Sequence, residues 1–119
     1  MTPFGEKVRG LRAERGLTLK RMAKDLQLSP AYLSALEHGR RGRPSLVLVN
    51  QICQYFHIIW DEAEDLERLA RFSHPKITVD TAGLSAEATE LANLLAERIA
   101  DLDEATIQRL LDEVKRAGV

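Results

Sequence analysis

The chain of 119 residues has little of what most enzymes and secreted proteins depend on. Its one cysteine, Cys53, excludes an internal disulfide and a thiolate metal cluster, and fits a reducing cytoplasm. Cys53 lies in an apolar helical pattern with Leu46, Leu48, Val49, Ile52 and Phe56, where a thiol behaves as a small hydrophobe rather than a redox sensor. The histidines His38, His57 and His74 stand apart from any second ligand at metal spacing, so no metal is expected. There is no glycine-rich phosphate loop and no triad-like set. The acidic stretch "DEAEDLE" lacks a nucleophile or an oriented histidine, so it reads as a solvated helix face. An enzyme is therefore the least favoured class, and no cofactor is expected. Secretory signal, membrane span, internal repeat and low-complexity run are all missing from the pattern, which points to a cytoplasmic protein without a membrane partner.

Charge is also scarce in the total, at −1, but not along the chain. Residues 1–45 hold ten Lys and Arg against four Asp and Glu, whereas residues 46–119 hold seven against fourteen. A basic first third followed by an acidic remainder attracts a polyanion at one end and repels it from the other.

Apolar spacing is helical almost throughout, which predicts an all-α fold. Phe4, Val8 and Leu11 form the stripe of a first helix that Gly16 stops. Thr18 caps a second, with Leu19, Met22, Ala23 and Leu26 inward. Ser29 caps a third with Pro30 at its first position, where a missing N–H costs nothing, and Gly39 is the expected left-handed terminator. Pro44 and Ser45 open a fourth helix that ends near His57, and a fifth runs from about Trp60 to Phe72, its acidic first turn suited to the positive end of a helix dipole. Residues 73–84, "SHPKITVDTAGL", break the pattern and read as a linker, with two short extended runs as a weaker feature. Ser85 caps a sixth helix to about Ala100 and Asp103 a seventh to about Ala117. So short a connection makes an antiparallel hairpin. The organisation expected is thus a five-helix domain over 1–72, a linker over 73–84 and a helical hairpin over 85–119.

The second and third helices are joined only by "QLS", too short for an antiparallel return and suited to a near-perpendicular pair. The stretch "RGLTLKRMAKDLQLSPAYLSALEHGRRGRPS" resembles the helix-turn-helix of the phage Cro and repressor type, the XRE family of transcriptional regulators. The likeness covers roughly residues 4–72. Ala23 lies where the family needs a small side chain, Leu28, Leu33 and Leu36 lie where it clamps the recognition helix to the core, and Arg12 and Glu37 lie where it forms a structural ion pair. Two positions depart from the phage repressors. Leu19 stands where several place a phosphate-touching glutamine, and Gln27 replaces the turn glycine, which asks a non-glycine residue for a left-handed conformation or a slightly different turn.

The resemblance implies a sequence-specific DNA-binding regulator, a repressor in its simplest mode, with the third helix as the recognition helix in the major groove of double-stranded DNA. Its groove face would carry Ser29, Pro30, Ala31, Tyr32, Ser34 and Ala35. None of these is the Arg, Lys, Asn or Gln that usually discriminates bases there. Arg40, Arg41 and Arg43 follow in the loop that the family runs along the sugar-phosphate backbone, where guanidinium groups bind phosphate or sense a narrow minor groove. Lys20 and Arg21 would clamp phosphate from the second helix, and His38 would hydrogen-bond a phosphate or remain a polar helix end. One module neutralises too few phosphates for tight specific binding, so a homodimer on a two-fold related operator is expected. Leu91, Leu94, Leu95, Ile99, Ile107, Leu110, Leu111 and Val114 are the candidate dimerisation residues, with Trp60 and Phe72 as additional ones. The alternative use of those stripes is packing on the chain's own N-terminal domain. Alternative functions are an antitoxin whose C-terminal helices bind a toxin, and a protein-interaction module without DNA. A contact with RNA polymerase through the acidic fifth helix is a further option for activation.

Overall fold

The structure is a computed structural model and describes residues 1–118. It is all-helical among those residues and divides into two compact units, Met1–Ile77 and Thr78–Val119. The first unit holds α1 (Pro3–Glu14), α2 (Leu19–Asp25), α3 (Pro30–Glu37), α4 (Leu46–Phe56) and α5 (Trp60–Arg71). The second holds α6 (Ala86–Arg98), a 3₁₀ turn (Ile99–Asp101) and α7 (Glu104–Ala117).

Local sequence explains where these helices begin. Thr2, Thr18, Ser29, Ser45, Ser85 and Asp103 each sit just before a helix in extended conformation and accept a hydrogen bond from an otherwise orphaned N–H in its first turn. Among the α-helices of the described residues, only α5 lacks such a side-chain cap. Asp61 and Glu62 in its first turn meet the positive dipole end instead.

The helix ends follow one pattern. After α1, α2, α3 and α4 a residue turns left-handed, with φ of +64° at Gly16, +60° at Gln27, +81° at Gly39 and +56° at His57. Each is followed by an amide that reaches back across six residues: Leu17 to Arg12, Leu28 to Ala23, Arg40 to Ala35 and Ile58 to Cys53, at 2.8–3.0 Å. This is the Schellman terminator, whose residue after the left-handed position is usually apolar and packs back on the helix. Leu17, Leu28 and Ile58 do so. The helix-turn-helix bend is therefore an ordinary Schellman end, with Gln27 in place of glycine.

Phe4, Val8 and Leu11 from α1, Met22 and Ala23 from α2, Leu33 and Leu36 from α3 and Val49, Ile52 and Phe56 from α4 form one core, closed by Leu66 and Ala70 of α5. Cys53 is buried within it, and burial pushes its thiol up from the usual range, so it packs as a small hydrophobe. The first unit runs past residue 72, where the sequence placed the domain end. Ser73 is buried, its hydroxyl accepting from the Phe4 amide at 2.9 Å and donating to the Leu69 carbonyl at 2.6 Å. It caps the start of α1 from the end of α5. The extended runs considered for residues 73–84 form no strand, and α6 ends in a 3₁₀ turn rather than continuing to Ala100.

The second unit is built differently. No residue of Thr78–Gly118 is buried. α6 runs directly into the 3₁₀ turn, and the two arms of the hairpin are not pressed together along their length. The 3₁₀ turn and the extended Leu102 stand between them, so neither apolar stripe is closed by the other.

Candidate DNA interface

α3 buries Leu33, Leu36 and Glu37. Helical spacing then puts Ala31, Ser34, Ala35 and His38 together on the opposite face, at i, i+3, i+4 and i+7, with Pro30 and Tyr32 on its flanks. The stripe is low and smooth, so a backbone or base edge can approach closely. Ser29 lies at its start, where its hydroxyl accepts from the Tyr32 amide at 3.0 Å and keeps its own proton to donate. His38 lies at its end. Its Nδ1 is 2.9 Å from the Ser34 carbonyl, which can only accept, so the ring donates there and leaves Nε2 facing outward.

α3 is fixed to the rest of the unit at both backbone and side-chain level. Arg12 Nη2 lies 2.9 Å and 3.0 Å from the two carboxylate oxygens of Glu37, which is 2% exposed. Burial pushes the Glu37 carboxyl up from its ordinary range, while the Arg12 guanidinium draws it back. Beside this pair, the Thr2 amide and hydroxyl both donate to the Glu37 carbonyl at 3.0 Å. Gly5 permits the approach, because a Cβ there would run into the Glu37 backbone, 2.8 Å from its Cα. Two residues at the start of α1, Thr2 and Gly5, thus hold the end of α3, and the sequence pattern had pointed to neither of them. The only signal was a glycine inside an otherwise good helix, which is unfavourable unless two backbones meet.

The loop after α3 is a tight turn. Gly42 N–H donates to the Gly39 carbonyl at 3.3 Å, so Arg40 and Arg41 are its two corner residues. Arg40 occupies the Schellman position that is apolar at the other three helix ends, yet it is exposed. A rule kept three times and broken once, with a guanidinium, marks that position as serving something other than packing. Arg41 lies over the Tyr32 ring, 5.6 Å from guanidinium carbon to ring centroid. Arg43 follows Gly42 at a bend in the chain, is exposed, and precedes the buried Pro44. Among the described residues, none of the three forms an ion pair with a carboxylate.

Comparison with known proteins agrees with this geometry. A family described as "Helix-turn-helix domain" matches residues 3–66. The HTH-type transcriptional repressor RghR of Bacillus subtilis (strain 168) is 32% identical over 98 residues, covering 79% of this chain and 73% of the relative. The chain belongs to the helix-turn-helix transcriptional regulators. An uncharacterized HTH-type transcriptional regulator, RghRB, from the same organism is 31% identical over 61 residues, 51% of this chain and 44% of the relative. No solved structure matches the chain.

In this helix-turn-helix regulator the cations of α2 differ in what they touch. Lys20 is exposed and makes no ion pair among the described residues. Arg21 Nε donates to both oxygens of Asp25, at 3.2 Å and 3.3 Å, and Asp25 also accepts from the Tyr55 hydroxyl at 2.7 Å. The Tyr55 bond, with Arg21 and Lys24, holds the Asp25 carboxyl below its usual range. Arg21 therefore keeps only its terminal nitrogens for any further partner. Arg15 is likewise occupied, donating to the Phe56 carbonyl at 3.1 Å with its guanidinium over the Phe56 ring. Trp60, with φ +54°, and Phe72 are both largely exposed on α5 and at its end. Among the described residues no helix is long and apolar enough to cross a membrane, and no group of three His, Cys, Asp or Glu gathers where a metal could sit.

Proposed function

We propose that the chain is a sequence-specific DNA-binding repressor that acts in the cytoplasm as a homodimer on a two-fold related operator. α3 enters the major groove with Ala31, Ser34 and Ala35 toward the bases, Ser29, Pro30 and Tyr32 at the edges of that stripe, and His38 at its end toward a phosphate. Arg40, Arg41 and Arg43 anchor it from the loop, and Lys20 and Arg21 from α2. The observation that carries this reading is the arginine turn fixed directly onto the end of a smooth, outward-facing helix. RghR, named as a repressor, supports the sign of regulation.

The homodimer rests on the second unit. Ordering a residue costs about 1–2 kcal/mol, and Thr78–Gly118 buries no side chain to offset this. Leu91, Leu94, Ile99, Leu110, Leu111 and Val114 remain 39–69% exposed, with Leu95 and Ile107 half-buried. A second copy covers both open arms at once and makes a four-helix arrangement, the simplest closed solution for two amphipathic hairpins.

Selection of bound duplexes from a random pool tests the reading, combined with light scattering on the full chain and on residues 1–77. A two-fold related consensus, a dimeric full chain and a monomeric truncation that binds far more weakly are expected. A full-length monomer would overturn the pairing and favour a different protein, such as a toxin, on the open helices. A pool without enrichment would overturn sequence-specific binding.

A further inference from the structure

The recognition helix has no long donor on its outward stripe, which leaves unexplained how it tells guanine from the other bases. The loop supplies a candidate. We propose that Arg41 is a base-reading residue, a bidentate donor to guanine in the major groove, held beside α3 by Tyr32. This deepens the DNA-binding reading above and rests on it.

Three features carry the assignment. The backbone of Arg41 is set by two hydrogen bonds, Arg40 N–H to the Ala35 carbonyl at 2.9 Å and Gly42 N–H to the Gly39 carbonyl at 3.3 Å, so the turn leaves α3 in a fixed direction. From that corner the side chain does not extend away from the helix but returns over the Tyr32 ring, on the first turn of α3. A guanidinium held over a ring by its charge leaves N–H groups for other partners, and Arg41 forms no ion pair among the described residues, so those groups are available to guanine O6 and N7. Tyr32 also limits the rotamers of Arg41 before DNA arrives, which lowers the ordering cost of a contact made from a loop. Arg40 and Arg43 have no such ring beneath them among the described residues, and they are left for phosphate.

The test uses the full chain and a pool of random duplexes, selected separately with the wild type, Arg41→Ala, Arg41→Lys, Tyr32→Leu and Tyr32→Phe. The wild type is expected to require guanine at one position of each half-site. Arg41→Ala loses about tenfold of that preference while the other positions keep theirs. Arg41→Lys loses most of it, because a point charge does not make the paired bond. Tyr32→Leu weakens the same position, and Tyr32→Phe, which keeps the ring under Arg41, weakens it less. If every variant selects the wild-type consensus and Arg41→Ala lowers the affinity for all sequences alike, Arg41 is a phosphate contact and the proposal is wrong. A wild-type pool with no consensus at all overturns the DNA-reading assignment together with it.

Discussion

Replacing Arg12 by methionine removes the partner of a carboxylate that is 2% exposed and has both oxygens bonded to one guanidinium nitrogen. The stem volume is nearly kept, so the cost comes from the stranded charge. Breaking one side of a buried ion pair costs about 3–5 kcal/mol, against a total stability of about 5–15 kcal/mol for a domain of ordinary size. Changing Glu37 to leucine in the same chain removes the stranded group, and the double variant should recover to within about 1 kcal/mol of wild type or exceed it. The pH dependence gives a second reading. The folded Glu37 carboxyl is raised from its ordinary 4.5 because burial outweighs the pull of Arg12. Its contribution to stability is therefore full below the unfolded value and is lost as pH rises through the folded one. Without Arg12 the folded value rises further, so the deficit of Arg12→Met relative to wild type should be small in acid and grow toward neutrality. Urea unfolding of the four proteins of the cycle, at neutral pH and at about pH 4, measures both effects. A neutral-pH cost for Arg12→Met below about 1 kcal/mol, or a deficit independent of pH, would refute the account of the pair.

Two glycines of α1 should respond oppositely to alanine. Gly5→Ala drives a Cβ into the Glu37 backbone and should destabilise by roughly 3 kcal/mol, whereas Gly10 has open space around it and should gain about 1 kcal/mol from helix propensity; equal effects in thermal unfolding would contradict the packing described. Gln27→Gly should stabilise by about 1 kcal/mol, because φ is +60° there; a loss of stability would show that the Gln27 side chain does more than occupy the turn. Ser73→Ala should cost about 1–3 kcal/mol by leaving the Phe4 amide unpaired and buried, and faster hydrogen exchange at Phe4 would report it directly.

Local features of this fold are written plainly in its sequence. Thr18, Ser29, Ser45, Ser85 and Asp103 cap the helices that they precede, Pro30 opens α3 and Gly39 closes it, because capping is chemistry within four residues. The Arg12–Glu37 contact was expected only because the helix-turn-helix resemblance put the two positions side by side. Contacts with neither a local rule nor a family position behind them stayed hidden. Thr2 with Glu37, Ser73 with Phe4 and Tyr55 with Asp25 join residues 30 or more positions apart, and hydrophobic periodicity tells which face is inward but not which partner it meets. The candidate interface divides the same way. The smooth face of α3 and the arginine cluster were legible, while the turn that fixes Arg40 and Arg41, and the return of Arg41 over Tyr32, depend on the fold. The open hairpin was hidden for a further reason. Its stripes show that a partner surface is needed, not that the arms leave each other free.

The salt dependence of DNA affinity tests the central claim most directly. Full-length wild type and the Arg40→Ala/Arg43→Ala variant are titrated, across a range of salt, against a duplex that the wild type enriches from the random pool. The plot of log affinity against log salt should flatten by about 0.9 for each phosphate that an arginine no longer neutralises, with affinity falling on every sequence alike. An unchanged slope would contradict the account, because the arginine turn would then not be lying on the DNA backbone.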